Sequence, residues 1–215
     1  MPVNDPRTQR LPASDRRRQL VETALDFFSR KGFGGTTTKE IAAAAGVTEA
    51  IIFRHFPTKQ DLYNAVLDHH QNSAQLAECV AQWKTYMDHN DDEALVRDII
   101  DKIIESYRRD LRGHRVLLFA ALEGHQTGLE HARALKLQIF ELLCEYLARR
   151  QREGAIREGN PGAIVAAIAG MATHYATRTQ MFGFSATSTD REMADSFVGI
   201  VMRGIQGHQQ ARKAT

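Results

Sequence analysis

Apolar residues recur three and four apart along nearly the whole chain, and no stretch alternates apolar and polar residues as a half-buried strand would. The pattern predicts an all-α protein. Leu20, Ala24, Phe27 and Phe28 put one apolar face on a first helix over about 14–31, which Gly32 ends. Thr37 with Glu40 three residues later is a capping box, each side chain satisfying a backbone N–H left unpaired at a helix start. A second helix therefore begins there and carries Ile41, Ala42 and Ala45. Gly46 supplies the left-handed residue that stops it, and Val47 points back toward the core. Thr48 is placed to cap a third helix whose Ile52 and Phe56 lie four apart, leaving Glu49, Ala50, Phe53, Arg54 and His55 on other faces. Pro57 closes that helix, and Thr58 opens a long one expected from Lys59 past Ala77, with Leu62, Ala65, Val66 and His69 along it.

After a polar break at 88–92, helices are expected over 95–109, 115–122, 129–152, 161–182 and 191–205. Asn160 and Pro161 cap and open the fourth of these, on which Ile164, Ala167, Ile168, Met171 and Tyr175 share one side among small residues that permit close helix approach. The last adds Met193, Phe197, Ile200, Val201 and Ile205. The organisation expected is a three-helix N-terminal domain at 14–62 and a larger helical bundle at 63–215.

Residues 36–59, two short helices around a sharp turn, carry the definite chemical message. The spacing fits a helix-turn-helix whose exposed faces could enter a DNA groove, although an ordinary αα-hairpin accounts for Ala44, Gly46 and the apolar positions as well. Lys59 stands in the positively polarised first turn of its helix, where a cation is disfavoured unless an anion lies nearby, and a phosphate would be such an anion.

Over residues 17–62 the chain resembles the TetR family of bacterial transcriptional regulators. The blocks that carry the likeness are Gly32-Phe33, Thr36-Thr37-Thr38, Ile41-Ala42, Ala45-Gly46-Val47, His55-Phe56, Lys59 and Leu62, in one register without gaps. The resemblance implies phosphate contacts from Thr37, His55 and Lys59, and contacts at or near bases from Thr38, Lys39, Glu49, Ala50 and Phe53. Thr48, Ile51 and Arg54 complete the candidate DNA-binding set. Two departures stand out: Phe53 replaces the family's usual tyrosine, and Ile51 replaces a position that is often Thr or Ser. Both remove hydroxyls, which favours apolar contact with thymine methyls, and the operator sequence does not transfer. Glu49 could accept from a cytosine amino group or could repel phosphates and tune weak sites out.

The resemblance further implies a homodimer through the last two helices, binding a palindromic double-stranded operator, with a small-molecule effector held by the C-terminal bundle. An intramolecular hairpin explains the periodicity of those two helices equally well. Twofold proteins place two reading helices about 34 Å apart, which favours the dimer. Effector candidates are Trp83, Tyr107, Phe119, Leu122, His125, Phe140, Met171, His174, Tyr175 and Arg178, chosen as large apolar bodies mixed with a few polar ends. Arg178 suits an acidic ligand, or a structural carboxylate such as Glu123.

Net charge across the 215 residues is +2, and its distribution is only mildly asymmetric, with ten Lys or Arg against seven Asp or Glu in residues 1–65 and eighteen against nineteen thereafter. Arg7, Arg10, Arg16, Arg17 and Arg18 form a basic arm that follows the DNA backbone, reaches the minor groove or is a solvated tail. Cys79 and Cys144 make no paired spacing, and no segment approaches the ~18 apolar residues of a membrane span, so a cytoplasmic protein with no membrane association is expected. No cofactor, metal or catalytic residue is expected: the chain lacks Glu-x-x-His and HExxH, a phosphate-cradling glycine loop and a nucleophile elbow, and its histidines are scattered. An effector-independent DNA-binding protein is the alternative reading, and a helical-bundle enzyme a more distant one.

Overall fold

The computed structural model describes residues 12–71 and 74–206. Ten α-helices account for nearly all regular structure there: α1 (Ala13–Lys31), α2 (Thr38–Ala44), α3 (Glu49–His55), α4 (Lys59–Gln71), α5 (Ala74–Asp88), α6 (Asp92–Arg109), α7 (Leu111–Leu122), α8 (Gln126–Arg152), α9 (Pro161–Ala176) and α10 (Asp190–Ile205). A π-helical turn at Thr177–Met181 follows α9, and Ile156 and Gln206 form an isolated β-bridge. The all-α expectation holds. The chain divides into two compact units, one of residues 1–71 with 112–131 and the other of 72–111 with 132–215.

In the first unit the core is built from Leu20, Ala24 and Phe28 of α1, Ile41 and Ala42 of α2, Ile52 of α3, Phe56, and Leu62, Tyr63, Val66 and Leu67 of α4. Val116, Ala120 and Leu129 complete it. With seven residues each, α2 and α3 fall below the ~12–15 that an isolated helix needs, so this burial is what makes them helical. Tyr63 is fully buried, meets the Phe28 ring edge-on at 4.8 Å and donates its hydroxyl to the Val116 carbonyl at 3.3 Å. Burial pushes its phenol pKa up. The boundary expected at residue 62 therefore falls inside one core, because α4 and a segment more than forty residues further on pack into it.

In the second unit α6 packs against α5, α9 and α10, burying Leu95, Ile99, Ile100 and Ile104 against Trp83, Ile168, Val198 and their neighbours. At its edge the Asp92 carboxylate accepts from the Arg150 guanidinium at 2.9 Å and from the Tyr146 hydroxyl at 2.5 Å. Asn160 caps α9 by accepting from the N–H groups of Gly162 and Ala163, as its position before Pro161 implied. Thr189 and Glu192 close a capping box on α10 that the sequence reading did not single out.

The long helix expected from Lys59 past Ala77 is helical over Lys59–Gln71 and from Ala74, with the two residues between lying outside the described ones. Two helix expectations change. The helix expected at 115 begins at Leu111. The helix over 161–182 leaves α geometry after Ala176, where the Thr179 hydroxyl donates to the Tyr175 carbonyl at 2.9 Å, the back-bonding by which Thr loosens a helix ladder. No described helix is long and apolar enough to cross a membrane.

Candidate nucleic-acid interface

The reading pair is held from behind by the turn between α1 and α2. Gly32 adopts a φ of 69°, and a Cβ there would stand 2.6 Å from Glu123 Oε1 and 2.9 Å from the Phe119 ring, so only glycine fits. The Glu123 carboxylate accepts from the backbone N–H of Phe33 at 2.9 Å and of Gly34 at 3.1 Å. Buried Thr36 donates to the Gly32 carbonyl at 2.9 Å, which brings the chain round to α2.

At the start of α2 the expected capping box is closed: Thr37 Oγ1 accepts from the Glu40 N–H, and the Glu40 carboxylate accepts from the Thr37 N–H at 2.9 Å. The Lys31 ammonium lies 2.6 Å from the same carboxylate. Together, Lys31 first and Thr37 next, they hold the Glu40 pKa down to about 2. Gly46, at φ 67°, makes the left-handed turn, and the Gln19 side chain donates to the Ala45 carbonyl behind it.

α3 differs from expectation at its first residue. Thr48 has the extended backbone of an N-cap, but its side chain makes no capping bond. Ile52 alone is buried, while Ala50, Phe53 and Arg54 are exposed, Phe53 by 43%. On α2 and its cap, Lys39 and Thr37 are exposed, and Thr38, Glu49, Ile51, His55 and Lys59 are half-buried. One contact lies within this face: the Thr38 hydroxyl donates to Glu49 Oε1 at 2.6 Å. Phe56 closes the helix against the core under the Arg17 guanidinium, 4.8 Å from its ring centroid.

Lys59 is already engaged. Its ammonium donates to the Phe33 carbonyl at 2.5 Å and stands 4.2 Å from the Phe33 ring centroid, and desolvation there lowers its pKa. A phosphate would have to share that ammonium with the α1–α2 turn. In the basic arm Arg16 donates to Gln19 at 2.6 Å, Arg18 pairs with Asp15 at 3.1 Å and Arg17 covers Phe56, whereas Arg7 and Arg10 lie outside the described residues.

A family profile described as bacterial regulatory proteins of the tetR family matches residues 20–66, the span that builds this pair. The HTH-type transcriptional regulator YvkB of Bacillus subtilis is 31% identical over 147 residues, which cover 66% of this chain and 71% of that protein. This chain belongs to the TetR family. The HTH-type transcriptional repressor Rv3405c of Mycobacterium tuberculosis is 32% identical over 127 residues, covering 54% of this chain and 57% of that relative, so the match spans little more than half the relative's length. Among solved structures, AibR in complex with isovaleryl coenzyme A and operator DNA shares the fold, with a TM-score of 0.62 and 23% identity over 86% of this chain and 97% of that one. These relatives are named as regulators and not as enzymes.

The ten candidate effector residues of this TetR-family chain are distributed between the two units. In the first, the Phe119 ring lies against Gly32, Leu122 is 76% exposed, and the half-buried His125 ring meets those of Phe33 at 4.5 Å and Tyr63 at 5.1 Å. In the second, Trp83 is buried with its indole N–H on Asp98 at 2.8 Å, and buried Tyr175 donates to Asp190 at 2.9 Å. Tyr107 accepts from the Thr177 hydroxyl, Phe140 abuts Gly162, Met171 packs on the core, His174 is exposed and the Arg178 guanidinium covers the Phe184 ring at 5.5 Å. Glu123, offered as a partner for Arg178, is instead committed to Phe33 and Gly34.

None of the ten lines the cavity that the described residues of the second unit do contain, a small one of about 30 Å³. That cavity is mostly aliphatic, lined by Leu95, Ile99, Leu147, Val165, Ile168 and Ile205 among others, with Asp92 and Tyr146 also in its lining. Helical spacing of Leu, Ile and Val is the same in a core and in such a lining, and Ile168 and Ile205 are expected from sequence on the faces of the last two helices. No group of three or more possible metal ligands occurs among the described residues.

Proposed function

We propose that this chain is a cytoplasmic DNA-binding transcriptional regulator that works as a ligand-responsive repressor. The observation that carries the reading is the face of α3, where Ala50, Phe53 and Arg54 are exposed on a helix fixed to its core by Ile52 alone. A cation next to an exposed apolar ring is suited to phosphate on one side and base edges on the other. The repressor named Rv3405c and the operator complex of AibR support the same assignment.

Two copies of the chain pair through α9 and α10, where Ile200 is 55% exposed on α10, and together read an inverted repeat. An effector binds the second unit, widening its small aliphatic cavity, and favours a conformer of lower operator affinity. A coupling of about 1–3 kcal/mol gives a change of about 5- to 150-fold. Isovaleryl coenzyme A in the AibR complex is a precedent for an effector with a short branched apolar group.

The test is selection from a random duplex pool by the purified protein, with light scattering on the same sample. An enriched inverted repeat with half-site centres about one helical turn (~34–36 Å) or a multiple apart, bound by a dimer, is expected. A monomer at micromolar concentration, or no enriched sequence, overturns the reading. If no compound shifts operator affinity, the protein is an effector-independent DNA-binding protein.

A further inference from the structure

Thr38 is the first residue of α2 and Glu49 the first of α3, and the Gly46 turn brings their side chains together: the Thr38 hydroxyl donates to Glu49 Oε1 at 2.6 Å. We propose that Glu49, oriented by Thr38, selects cytosine at one position of each operator half-site. The proposal rests on the reading of α3 as the helix that enters the major groove.

The chemistry follows from what the bond consumes. A hydroxyl has one hydrogen, and Thr38 has committed it to Glu49. What the pair still offers is the second carboxylate oxygen and the hydroxyl lone pairs, all of them acceptors. Thr38 cannot then donate to a phosphate, and the pair matches only a donor. In the major groove the donors are the amino groups of cytosine and adenine; guanine shows two acceptors, and thymine an acceptor and a methyl. Adenine sets its N7 acceptor beside its amino group, where a carboxylate is repelled. Cytosine has only a C–H there, so it is the base that the pair accepts.

Placement supports this assignment. Glu49 is one turn before Phe53 and adjacent to exposed Ala50, so it belongs to the same edge of α3 as the groups offered to DNA. An unmatched carboxylate at that edge meets acceptors and phosphates only, which makes wrong bases costly and gives the residue its selectivity by exclusion. Thr38 is the positioning residue, since its bond occupies one carboxylate oxygen and leaves the other as the acceptor. If the bond served only to tie α2 to α3, base preference would not depend on it.

Full-length wild-type protein and the variants Glu49→Gln, Glu49→Ala and Thr38→Val are each used to select duplexes from a random pool, and affinities are then measured for single-base variants of the selected site. Wild type should enrich an inverted repeat with cytosine at one symmetry-related position, where thymine lowers affinity by roughly 5- to 150-fold. Glu49→Ala should lose preference at that position alone. Glu49→Gln should move it to adenine, whose N6 and N7 a carboxamide can match together. Thr38→Val should keep the cytosine with weaker discrimination. An unchanged remainder of the repeat shows that each variant is folded, and Glu49→Gln carries the test if Glu49→Ala does not fold. A repeat identical in wild type, Glu49→Ala and Glu49→Gln overturns the proposal while leaving the reading of α3 intact. No enrichment by wild type overturns that reading itself.

Discussion

α2 and α3 are each seven residues long, yet they meet their partners differently. α2 begins with a closed capping box, buries Ile41 and Ala42, and has the Glu40 carboxylate tied to Lys31 across the α1–α2 turn. α3 has Thr48 as its N-cap without a side-chain bond, buries Ile52 alone and leaves Ala50, Phe53 and Arg54 exposed. Neither helix is long enough to persist by itself. The contrast teaches that the pair is stabilised through α2 and through the apolar anchor of α3, while most of the outward groups of α3 are left without a structural task. A helix that must present side chains to a partner keeps them out of its own caps.

The largest effect should come from that anchor. Ile52 is fully buried, and truncating it to Ala leaves a cavity that a core already closed by Leu20, Ile41 and Phe56 cannot fill. Ile52→Ala is expected to lower the unfolding free energy by about 2–5 kcal/mol in urea denaturation. A loss below about 1 kcal/mol would mean that something other than Ile52 holds α3, and the contrast with α2 would need redrawing.

Much of this pair was legible in the sequence because its signals are local. Thr37 and Glu40 three apart, Gly46 at the turn and the Ile52–Phe56 spacing each name a local bond or contact that the structure contains. What was not legible depends on distant chain. Val116, Ala120 and Leu129 enter the same core, and the Glu123 carboxylate grips Phe33 and Gly34 across about ninety residues. Lys59 was expected at a phosphate because a cation is unfavourable at a helix start, but the Phe33 carbonyl and ring supply its stabilisation. The effector residues were chosen for polar ends on apolar bodies, and such ends find partners nearby, as Trp83 does in Asp98 and Tyr175 in Asp190. The cavity is lined mostly by plain aliphatics, which no spacing rule separates from core.

The next effect in size concerns the cap of α2. Thr37→Ala removes the acceptor for the Glu40 N–H, and a cost of about 1 kcal/mol is expected, within a range of about 0.5–2. The acid dependence follows from Glu40, whose pKa falls from 4.5 in the unfolded chain to about 2 in the folded one. A depressed carboxylate stabilises the fold fully above the unfolded value and loses that contribution as pH falls from 4.5 toward 2. Wild type should therefore exceed Glu40→Gln in stability near neutral pH, and the gap should close as denaturation is repeated at lower pH. A gap that stays constant with pH would show that the ionisation of Glu40 is not what stabilises the fold.

The smallest effect is expected at Thr48, and it is the most diagnostic of the contrast. By residue type and place Thr48 should be as good a cap as Thr37, but only its carbonyl serves the helix, accepting from the Ile51 N–H at 3.0 Å. Alanine retains that carbonyl, so Thr48→Ala should change the unfolding free energy by less than about 0.5 kcal/mol. If it costs as much as Thr37→Ala in the same denaturation series, the hydroxyl does cap α3 in solution and the asymmetry between the helices disappears. If stability is unchanged but affinity for the selected operator falls, the hydroxyl is contacting DNA, because a side chain with no role in the fold can lose affinity only through the partner it touches.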